Sequence, residues 1–152
     1  MQEKTENLDG WWHTFFDAQA EWHAENPAEA QVAHVPTGGW DALDEHKESA
    51  PVPGIWHERQ PGYCGVVWYQ RPFVLPECWN DGLVNLLIAG VRSLAQVYLD
   101  ERLAAASREE NGSYIVRFGR LAPQRPYSLS ICVWHNDDSG GISGSVSLII
   151  EE

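Results

Sequence analysis

The densest group of ligand-binding side chains in the sequence lies between residues 135 and 141. Imidazole, amide, carboxylate and hydroxyl groups follow one another there, and two glycines close the segment: His135, Asn136, Asp137, Asp138, Ser139, Gly140 and Gly141. Short polar side chains can hydrogen-bond a polar ligand, and glycine lets a ligand approach the backbone closely. The same composition also suits a solvated turn in which Asp and Asn side chains cap their own backbone. The segment is therefore a candidate binding loop with a purely structural alternative.

The sequence contains no motif for metal binding, catalysis or nucleotide binding. The six histidines include no HExxH and no pair at the spacing of metal ligands. The chain has 22 acidic residues, but nothing in the sequence selects the two carboxylates that glycoside hydrolysis requires. No GxSxG, P-loop or nucleotide fingerprint occurs either. We therefore expect no metal, no cofactor and no catalytic residue in this chain.

The charge of the chain limits its partners. Its formal net charge is −12 and its ten Lys and Arg residues are scattered, whereas a phosphate-binding surface needs clustered basic residues. We therefore expect neither nucleic acid nor a membrane as a partner. The sequence has no run of 18 apolar residues and no leader-like N-terminus, so we expect a soluble protein. Its cellular compartment does not follow from the sequence.

The cysteines offer no metal site. They are three in number, Cys64, Cys78 and Cys132, and their spacing is not that of metal ligands. We predict small buried or half-buried thiols, with one disulfide and a spare thiol as the alternative.

The spacing of turn residues predicts an antiparallel β protein. Gly, Pro, Asn and Asp clusters recur about every 10 to 15 residues, and the runs between them alternate with a period of two. The predicted inward residues are Val97 and Leu99; Leu129, Ile131 and Val133; and Val146, Leu148 and Ile150. The side chains between them should lie on the other face, and we expect Gln96, Tyr98, Asp100, Ser145 and Ser147 to face solvent. Residues 83–89 predict a central strand covered on both faces, and Pro72 predicts a strand edge or bulge.

The first fifty residues carry a weaker pattern, so we separate an irregular or partly helical N-terminal wrap, residues 1–50, from the core of a single domain, residues 51–152. Residues 11–17 fit a first strand, but a helical stripe also fits, made of Phe15, Gln19, Trp22 and His23. The acidic stretch 41–48 predicts a surface loop that packs only through Trp40 and Leu43.

A longer pattern covers roughly residues 50–150. It consists of Val52-Pro53-Gly54-Ile55-Trp56, Tyr63-Cys64-Gly65 with Trp68-Tyr69-Gln70-Arg71, Leu75-Pro76, Leu86 to Val91, Ala95 to Glu101, Tyr127 to Val133, and Gly140-Gly141-Ile142. In order and spacing it resembles the N-terminal sugar-binding domain of family 2 glycoside hydrolases. The chain departs from that pattern where Asp100-Glu101 replaces an Asn-Gly turn and where Pro72 interrupts a strand.

The resemblance implies an all-β, jelly-roll sandwich of the galactose-binding-like type. It implies a non-catalytic carbohydrate-binding domain, because the family's catalytic carboxylates lie on a separate barrel domain. In such enzymes an acidic residue just before the GGI motif binds a sugar hydroxyl, a place that Asp137 or Asp138 would take, with Asn136 and His135 beside it. A calcium ion is common in such folds, but no DxDxDG-type run supplies ligands here.

Sugar rings also stack on aromatic side chains, and the chain has eight tryptophans. Trp56, Trp68 and Trp134 lie in strand-like positions that predict core packing. Those in less regular context are Trp11, Trp12, Trp22, Trp40 and Trp79, of which Trp40 and Trp79 join the candidate site. A structural or assembly module that packs against a partner protein, or against a glycosidase catalytic domain, is the alternative function.

Overall fold

The computed structural model describes residues 3–20, 35–45, 48–79, 82–91, 94–108, 113–135 and 137–151. In these residues the chain forms ten strands: β1 Glu3–Asn7, β2 Gly10–Asp17, β3 Glu48–Val52, β4 Gly65–Val74, β5 Leu83–Ile88, β6 Leu94–Leu99, β7 Arg102–Arg108, β8 Tyr114–Gly119, β9 Pro126–His135 and β10 Val146–Glu151. One short helix, α1, spans Trp40–Glu45, and single 3-10 turns occur at Trp56–Glu58 and Glu77–Trp79.

The strands pair into two antiparallel sheets. One has four strands in the order β1-β10-β5-β8, and the other has six in the order β3-β2-β4-β9-β6-β7. The main core draws side chains from both sheets, among them Trp12, Val67 and Ile131 from the larger sheet and Leu86 and Leu148 from the smaller. The expected all-β sandwich is therefore confirmed.

The period-two alternation correctly identifies the inner face of the sheets. The predicted inward residues of β6, β9 and β10 are buried, except Leu99, which is half-buried and packs against the core. In β5 the inward residues are Val84, Leu86 and Ile88, but Leu83 on the opposite face is 48% exposed. Strand β5 is central, between β10 and β8, but the expectation that both of its faces are covered is wrong.

The outer face of the six-stranded sheet is covered as well, which the sequence pattern did not indicate. Gln96 and Tyr98 are predicted to face solvent, yet both are buried, and so are Ser130 and Cys132 on the same face of the neighbouring strand. Tyr98 and Cys132 belong to a second layer of packing, together with Val66, Trp68 and Leu43. Gln96 and Ser130 lie opposite Cys132 and Tyr98 in the strand register. Alternation shows which residues share a face, but only the tertiary structure decides whether another element covers that face.

Helix α1 provides part of this cover. The indole of Trp40 makes edge contacts with Trp68 and Tyr98 at centroid distances of 5.3 Å each. Leu43 is fully buried, and its carbonyl oxygen lies 2.6 Å from Nε2 of His13, which donates a hydrogen bond to it. Packing through Trp40 and Leu43 is confirmed, but the predicted surface loop is wrong for residues 41–45, which are helical.

The first fifty residues contribute strands to both sheets. Strand β1 pairs with β10, and β2 lies between β3 and β4. Of the two alternatives for residues 11–17, the strand is therefore confirmed, whereas Trp22 lies outside the described residues. Strand β4 is internal, but β2 pairs only with its residues Val66 to Gln70, so Pro72 lies where β4 has one neighbour, β9.

A two-residue turn joins β6 to β7. Asp100 and Glu101 both adopt positive φ, at 51° and 68°, as an I′ hairpin turn requires. The carboxylate of Asp100 accepts a hydrogen bond from Ser128 N at 2.9 Å and pairs with Arg125 at 2.8 Å. These two bonds hold Asp100 where the resembling family has asparagine.

The cysteines and the helices complete the description. Cys132 is a buried thiol, as predicted, but Cys64 and Cys78 are exposed rather than buried, and none of the three forms a disulfide. No helix in the described part of the chain has the length and apolarity needed to cross a membrane.

Candidate functional site

The second half of the candidate binding loop, together with Ile142 after it, lies against the segment that leads from β3 into the Trp56–Glu58 turn. Three backbone hydrogen bonds join them: Gly54 N donates to Ile142 O at 2.8 Å, Trp56 N to Gly140 O at 2.9 Å, and His57 N to Asp138 O at 2.8 Å. The VPGIW and GGI motifs, almost ninety residues apart in the sequence, thus form one structural unit. We call this unit the paired loops, residues 54–63 and 137–142.

The two glycines of the GGI motif allow this close approach. A Cβ atom on Gly140 would lie 2.6 Å from Cβ of His135 and 2.9 Å from the indole of Trp56. Gly141 has φ of +134°, and a Cβ there would lie 2.6 Å from the carbonyl oxygen of Gly54. Gly140 thus leaves room for the side chains of His135 and Trp56, and Gly141 for the backbone of the facing loop, so both glycines serve packing within the protein, whereas the sequence suggested the approach of a ligand.

Beneath the paired loops, Trp56 serves as their anchor in the core. Its ring is 1% exposed, and its Nε1 donates a hydrogen bond of 2.9 Å to the hydroxyl of Tyr69. Burial raises the pKa of that tyrosine, so its hydroxyl stays protonated. Tyr63 packs edge-on against the same indole at a centroid distance of 5.4 Å. The predicted core position of Trp56 is confirmed.

Asp138 connects the two loops through its side chain. Its Oδ2 accepts hydrogen bonds from Gly62 N and from Nδ1 of His57, both at 2.7 Å. The bond from Gly62 N, and then that from His57, lowers the pKa of Asp138, while the bond to Asp138 raises the pKa of His57. Oδ2 of Asp138 is therefore engaged within the protein, and its side chain is 28% exposed, less than half as much as that of Asp137.

The sign of both shifts defines the pH window of this ion pair. Because folding raises the pKa of His57, the bond to Asp138 stabilises the folded state fully below pH 6.5, the ordinary pKa of histidine. This stabilisation is lost as the pH rises through the folded-state pKa of His57. Because folding lowers the pKa of Asp138, its bonds stabilise the folded state fully above pH 3.8, the ordinary pKa of aspartate. This stabilisation is lost as the pH falls through the folded-state pKa of Asp138. The ion pair is therefore most effective between these two limits, in mildly acidic solution.

Asp137, in contrast, presents its carboxylate to solvent. Its side chain is 62% exposed, and its Oδ1 accepts hydrogen bonds from the backbone N and the hydroxyl of Ser139, at 2.8 and 2.5 Å. These bonds lower the pKa of Asp137, so the group is ionised at neutral pH. Its backbone N donates to Nδ1 of His135 at 3.2 Å. The self-capping that the sequence offered as an alternative is present, but all bonds within the described residues fall on Oδ1 and leave Oδ2 exposed.

The tryptophan candidates are distributed differently from the prediction. Trp79 is 3% exposed in the main core, so the prediction of an aromatic platform there is wrong. Trp40 is half-buried and makes edge contacts with Trp68 and Tyr98 in the second layer of packing. Trp11 is the exposed one, at 65%. Asn136 lies outside the described residues.

Sequence reasoning missed two residues of this surface, His57 and Arg59. Both follow the VPGIW motif directly, in or just after the Trp56–Glu58 turn, and the guanidinium of Arg59 lies over the ring of Trp11 at 4.8 Å from its centroid. Only their adjacency to the motif could have indicated them, because their partners Asp138 and Trp11 are distant in sequence.

The concave features near this surface are small. The cavity under the Trp56–Glu58 turn, between Phe16, Ile55 and Arg59, has a volume of about 10 Å³, room for a single water molecule. An open groove of about 300 Å³ runs past Glu6 and Arg71–Val74, but it contains none of the predicted site residues. No group of His, Cys, Asp and Glu side chains suited to a metal ion occurs among the described residues.

Comparison with known proteins finds similarity at the level of structure. No protein-family model and no curated protein sequence matches the chain. Among solved structures, a β-glucuronidase of Ruminococcus gnavus superposes with a TM-score of 0.73 at 16% identity, over 97% of this chain and 28% of that one. A β-glucuronidase of Lactobacillus rhamnosus superposes with a TM-score of 0.74 at 15% identity, over 99% of this chain and 29% of that one. The R. gnavus enzyme in complex with D-glucuronic acid superposes with a TM-score of 0.69 at 17% identity, over 97% of this chain and 29% of that one.

These matches confirm that the chain has the fold of a part of family 2 β-glucuronidases, as the sequence resemblance predicted. The chain spans less than a third of the length of those enzymes. The chain is thus an antiparallel β-sandwich with the fold of a part of those enzymes.

Proposed function

We propose that the chain is a non-catalytic carbohydrate-binding domain of a glycoside hydrolase, with the connectivity of a galactose-binding-like jelly roll. The observation that carries the proposal is the carboxylate of Asp137, which is ionised, 62% exposed and held on a loop that the VPGIW segment fixes in place. An ionised carboxylate with a free oxygen is a strong acceptor for a sugar hydroxyl. The structural similarity to β-glucuronidases supports this role.

The same loop is poorly suited to catalysis. A glycosidase needs one carboxyl group with a raised pKa as proton donor, but the pKa values of Asp137 and Asp138 are both lowered by hydrogen bonds. The hydroxyl of Ser139 donates to Asp137 and not to His135, so the three residues do not form a nucleophilic triad either. We therefore expect no hydrolysis of nitrophenyl glycosides by the purified chain.

A glycan-array screen followed by titration calorimetry tests the proposal. The wild-type chain should bind at least one glycan, and Asp137→Ala should weaken that binding about tenfold or more, the scale of a hydrogen bond to a charged group. Glu45→Gln, which removes an exposed charge on α1, is the matched control and should bind as the wild type does. Binding that is unchanged in Asp137→Ala would refute the role of this carboxylate. Absence of binding across a broad array would refute carbohydrate recognition.

A second function, assembly with a partner protein, is favoured by the outer face of the four-stranded sheet. Ile115 is 67% and Leu83 48% exposed, and the half-buried Leu87 and Ile149 lie beside them in the strand register. Apolar side chains grouped on one sheet face are typical of a protein interface. Ile115→Lys should abolish any self-association seen in sedimentation velocity. If that variant leaves the oligomeric state of an associating wild-type chain unchanged, this face is not the interface.

A further inference from the structure

An open groove runs along one side of the sandwich, between the end of β1 and the second half of β4. It has a volume of about 300 Å³ and is lined by Glu6, Leu8 and Arg71–Val74. Because β2 pairs with β4 only from Val66 to Gln70, residues 71–74 have a neighbouring strand on one side only, which is β9. The groove therefore lies where the larger sheet leaves part of a strand uncovered. Its volume is at the lower end of the range for small-molecule sites.

The backbone edge of β4 in this groove offers little to a peptide strand. Ser128, the register partner of Pro72, bonds to Asp100 through both its backbone N and its carbonyl oxygen. Opposite residues of an antiparallel pair exchange both backbone bonds or neither, so Pro72 presents its backbone to the open groove. It has no N–H to donate there, and its carbonyl oxygen already accepts a hydrogen bond of 3.0 Å from Nη1 of Arg71. Addition of a peptide strand needs such donors and acceptors, so this edge disfavours it.

Two side chains of opposite charge line the groove, Glu6 from β1 and Arg71 from β4. No ion pair within the described residues joins them to each other. The bond to Pro72 O orients the guanidinium of Arg71 and leaves it further N–H donors, whereas the carboxylate of Glu6 supplies acceptors. The groove thus offers a ligand both hydrogen-bond donors and hydrogen-bond acceptors.

Apolar groups form the rest of the groove. Leu8 and Phe73 are buried, while Pro72 and Val74 are exposed, Val74 at 53%. A pyranose matches such a surface, because it has apolar C–H faces and hydroxyl groups that both donate and accept. A charged ligand gains little here, because either sign of charge is attracted by one of Glu6 and Arg71 and repelled by the other, and the ligand gives up hydration.

We propose that this groove binds an uncharged pyranose, one or two sugar units of a neutral glycan. A C–H face of the sugar packs on Pro72 and Val74, while its hydroxyl groups accept hydrogen bonds from Arg71 and donate them to Glu6. This inference rests on the proposed carbohydrate-binding function but adds a second surface, which shares no residue with the paired loops.

Amide chemical shifts of the full chain test the proposal, in titrations with four neutral disaccharides: cellobiose, maltose, lactose and β-1,4-mannobiose. At least one should give saturable shifts at residues 6–8, 71, 73 and 74. The form of that disaccharide in which both CH₂OH groups are oxidised to carboxylates should bind no more tightly. Arg71→Ala and Glu6→Ala should each weaken binding of the neutral disaccharide about tenfold or more, the scale of a hydrogen bond to a charged group. Both substitutions lie at the surface and should keep the melting temperature within a few degrees.

Arg117→Ala removes an exposed arginine from β8 in the other sheet and is the matched control, which should bind as the wild type does. Absence of these shifts with all four disaccharides, tighter binding of the oxidised form, or unchanged affinity in either Arg71→Ala or Glu6→Ala overturns the proposal. A neutral strand-forming peptide, acetyl-Thr-Val-Thr-Val-Thr-amide, is titrated in parallel. If the peptide shifts the same amides and no disaccharide does, the groove is a site of strand addition and the proposal fails.

Asp137→Ala separates this inference from the proposed function. If a glycan found on the array loses affinity in Asp137→Ala while no disaccharide shifts residues 71, 73 and 74, the inference fails and the proposed function stands. If disaccharide binding is kept in Asp137→Ala and lost in Arg71→Ala, the groove is supported and Asp137 has no part in that recognition.

Discussion

Substitution of Gly141 by alanine should destabilise the protein by separating the paired loops. The added Cβ would lie 2.6 Å from the carbonyl oxygen of Gly54, whereas ordinary contacts begin at 3.4 Å. Gly54 itself donates a hydrogen bond to Ile142 O, so the oxygen cannot retreat without straining that bond. Forcing extra atoms into packed backbone costs about 1–3 kcal/mol. The positive φ of +134° adds a further strain of about 1–3 kcal/mol for alanine.

Gly10 offers a control that separates these two costs. Its φ of +138° is nearly the same, but a Cβ there would have no heavy atom within 4 Å. Gly10→Ala should therefore show the backbone strain alone, and Gly141→Ala should be less stable than Gly10→Ala by about 1–3 kcal/mol. For a domain of this size the difference corresponds to about 2–12 °C in melting temperature.

Urea unfolding followed by far-UV circular dichroism measures both variants, with equal m-values as the check on two-state behaviour. A second readout is the pKa of His57, which should fall toward 6.5 only in Gly141→Ala, since the displaced loop carries Asp138. If the two alanine variants are equally stable, the close approach of the loops does not contribute to stability.

Three further predictions concern single groups. The pKa of His57 should lie above 6.5 in an NMR titration and return toward that value in Asp138→Asn, because the bond to the carboxylate raises it; an unshifted histidine would contradict the ion pair. Glu101→Gly should stabilise the chain by about 1 kcal/mol in urea unfolding, since glycine adopts the φ of 68° without strain, and a neutral or harmful effect would count against the turn geometry. The two exposed cysteines should react with a thiol reagent in the native state while Cys132, whose pKa is raised by burial, reacts only on unfolding; reductant should leave the melting temperature unchanged, and a large drop would reveal a disulfide.

The inner faces of the strands could be predicted from the sequence because burial there depends on a local rule. Side chains in a strand alternate between two faces, so Leu129, Ile131 and Val133 identify the inner face of β9 without knowledge of its neighbours. The outer face of the same strand could not be predicted. Ser130 and Cys132 are small and weakly polar, suited equally to solvent and to a covered surface. The short helix that packs nearby, α1, comes from a part of the chain about ninety residues away.

The candidate loop was located by its composition, but its chemistry was not. Asp137 and Asp138 are adjacent and chemically identical, so no local pattern distinguishes the exposed carboxylate from the engaged one. The distinction comes from His57 and Gly62, which are 81 and 76 residues away from Asp138. Likewise, Trp79 and Trp11 both follow turn-like residues in the sequence, yet one is buried in the core and the other carries Arg59 on an open ring.

The sequence by itself determined the fold class, the inner faces of the sheets and the segment in which binding groups are concentrated. These follow from local periodicity, turn chemistry and the order of short motifs, which are properties of neighbouring residues. Only the tertiary structure decided which carboxylate is more exposed, which tryptophan is exposed and whether the outer face of the larger sheet is covered. Each of these depends on contacts between segments far apart in the chain, and the free energy of such contacts is set by packing that no local pattern encodes.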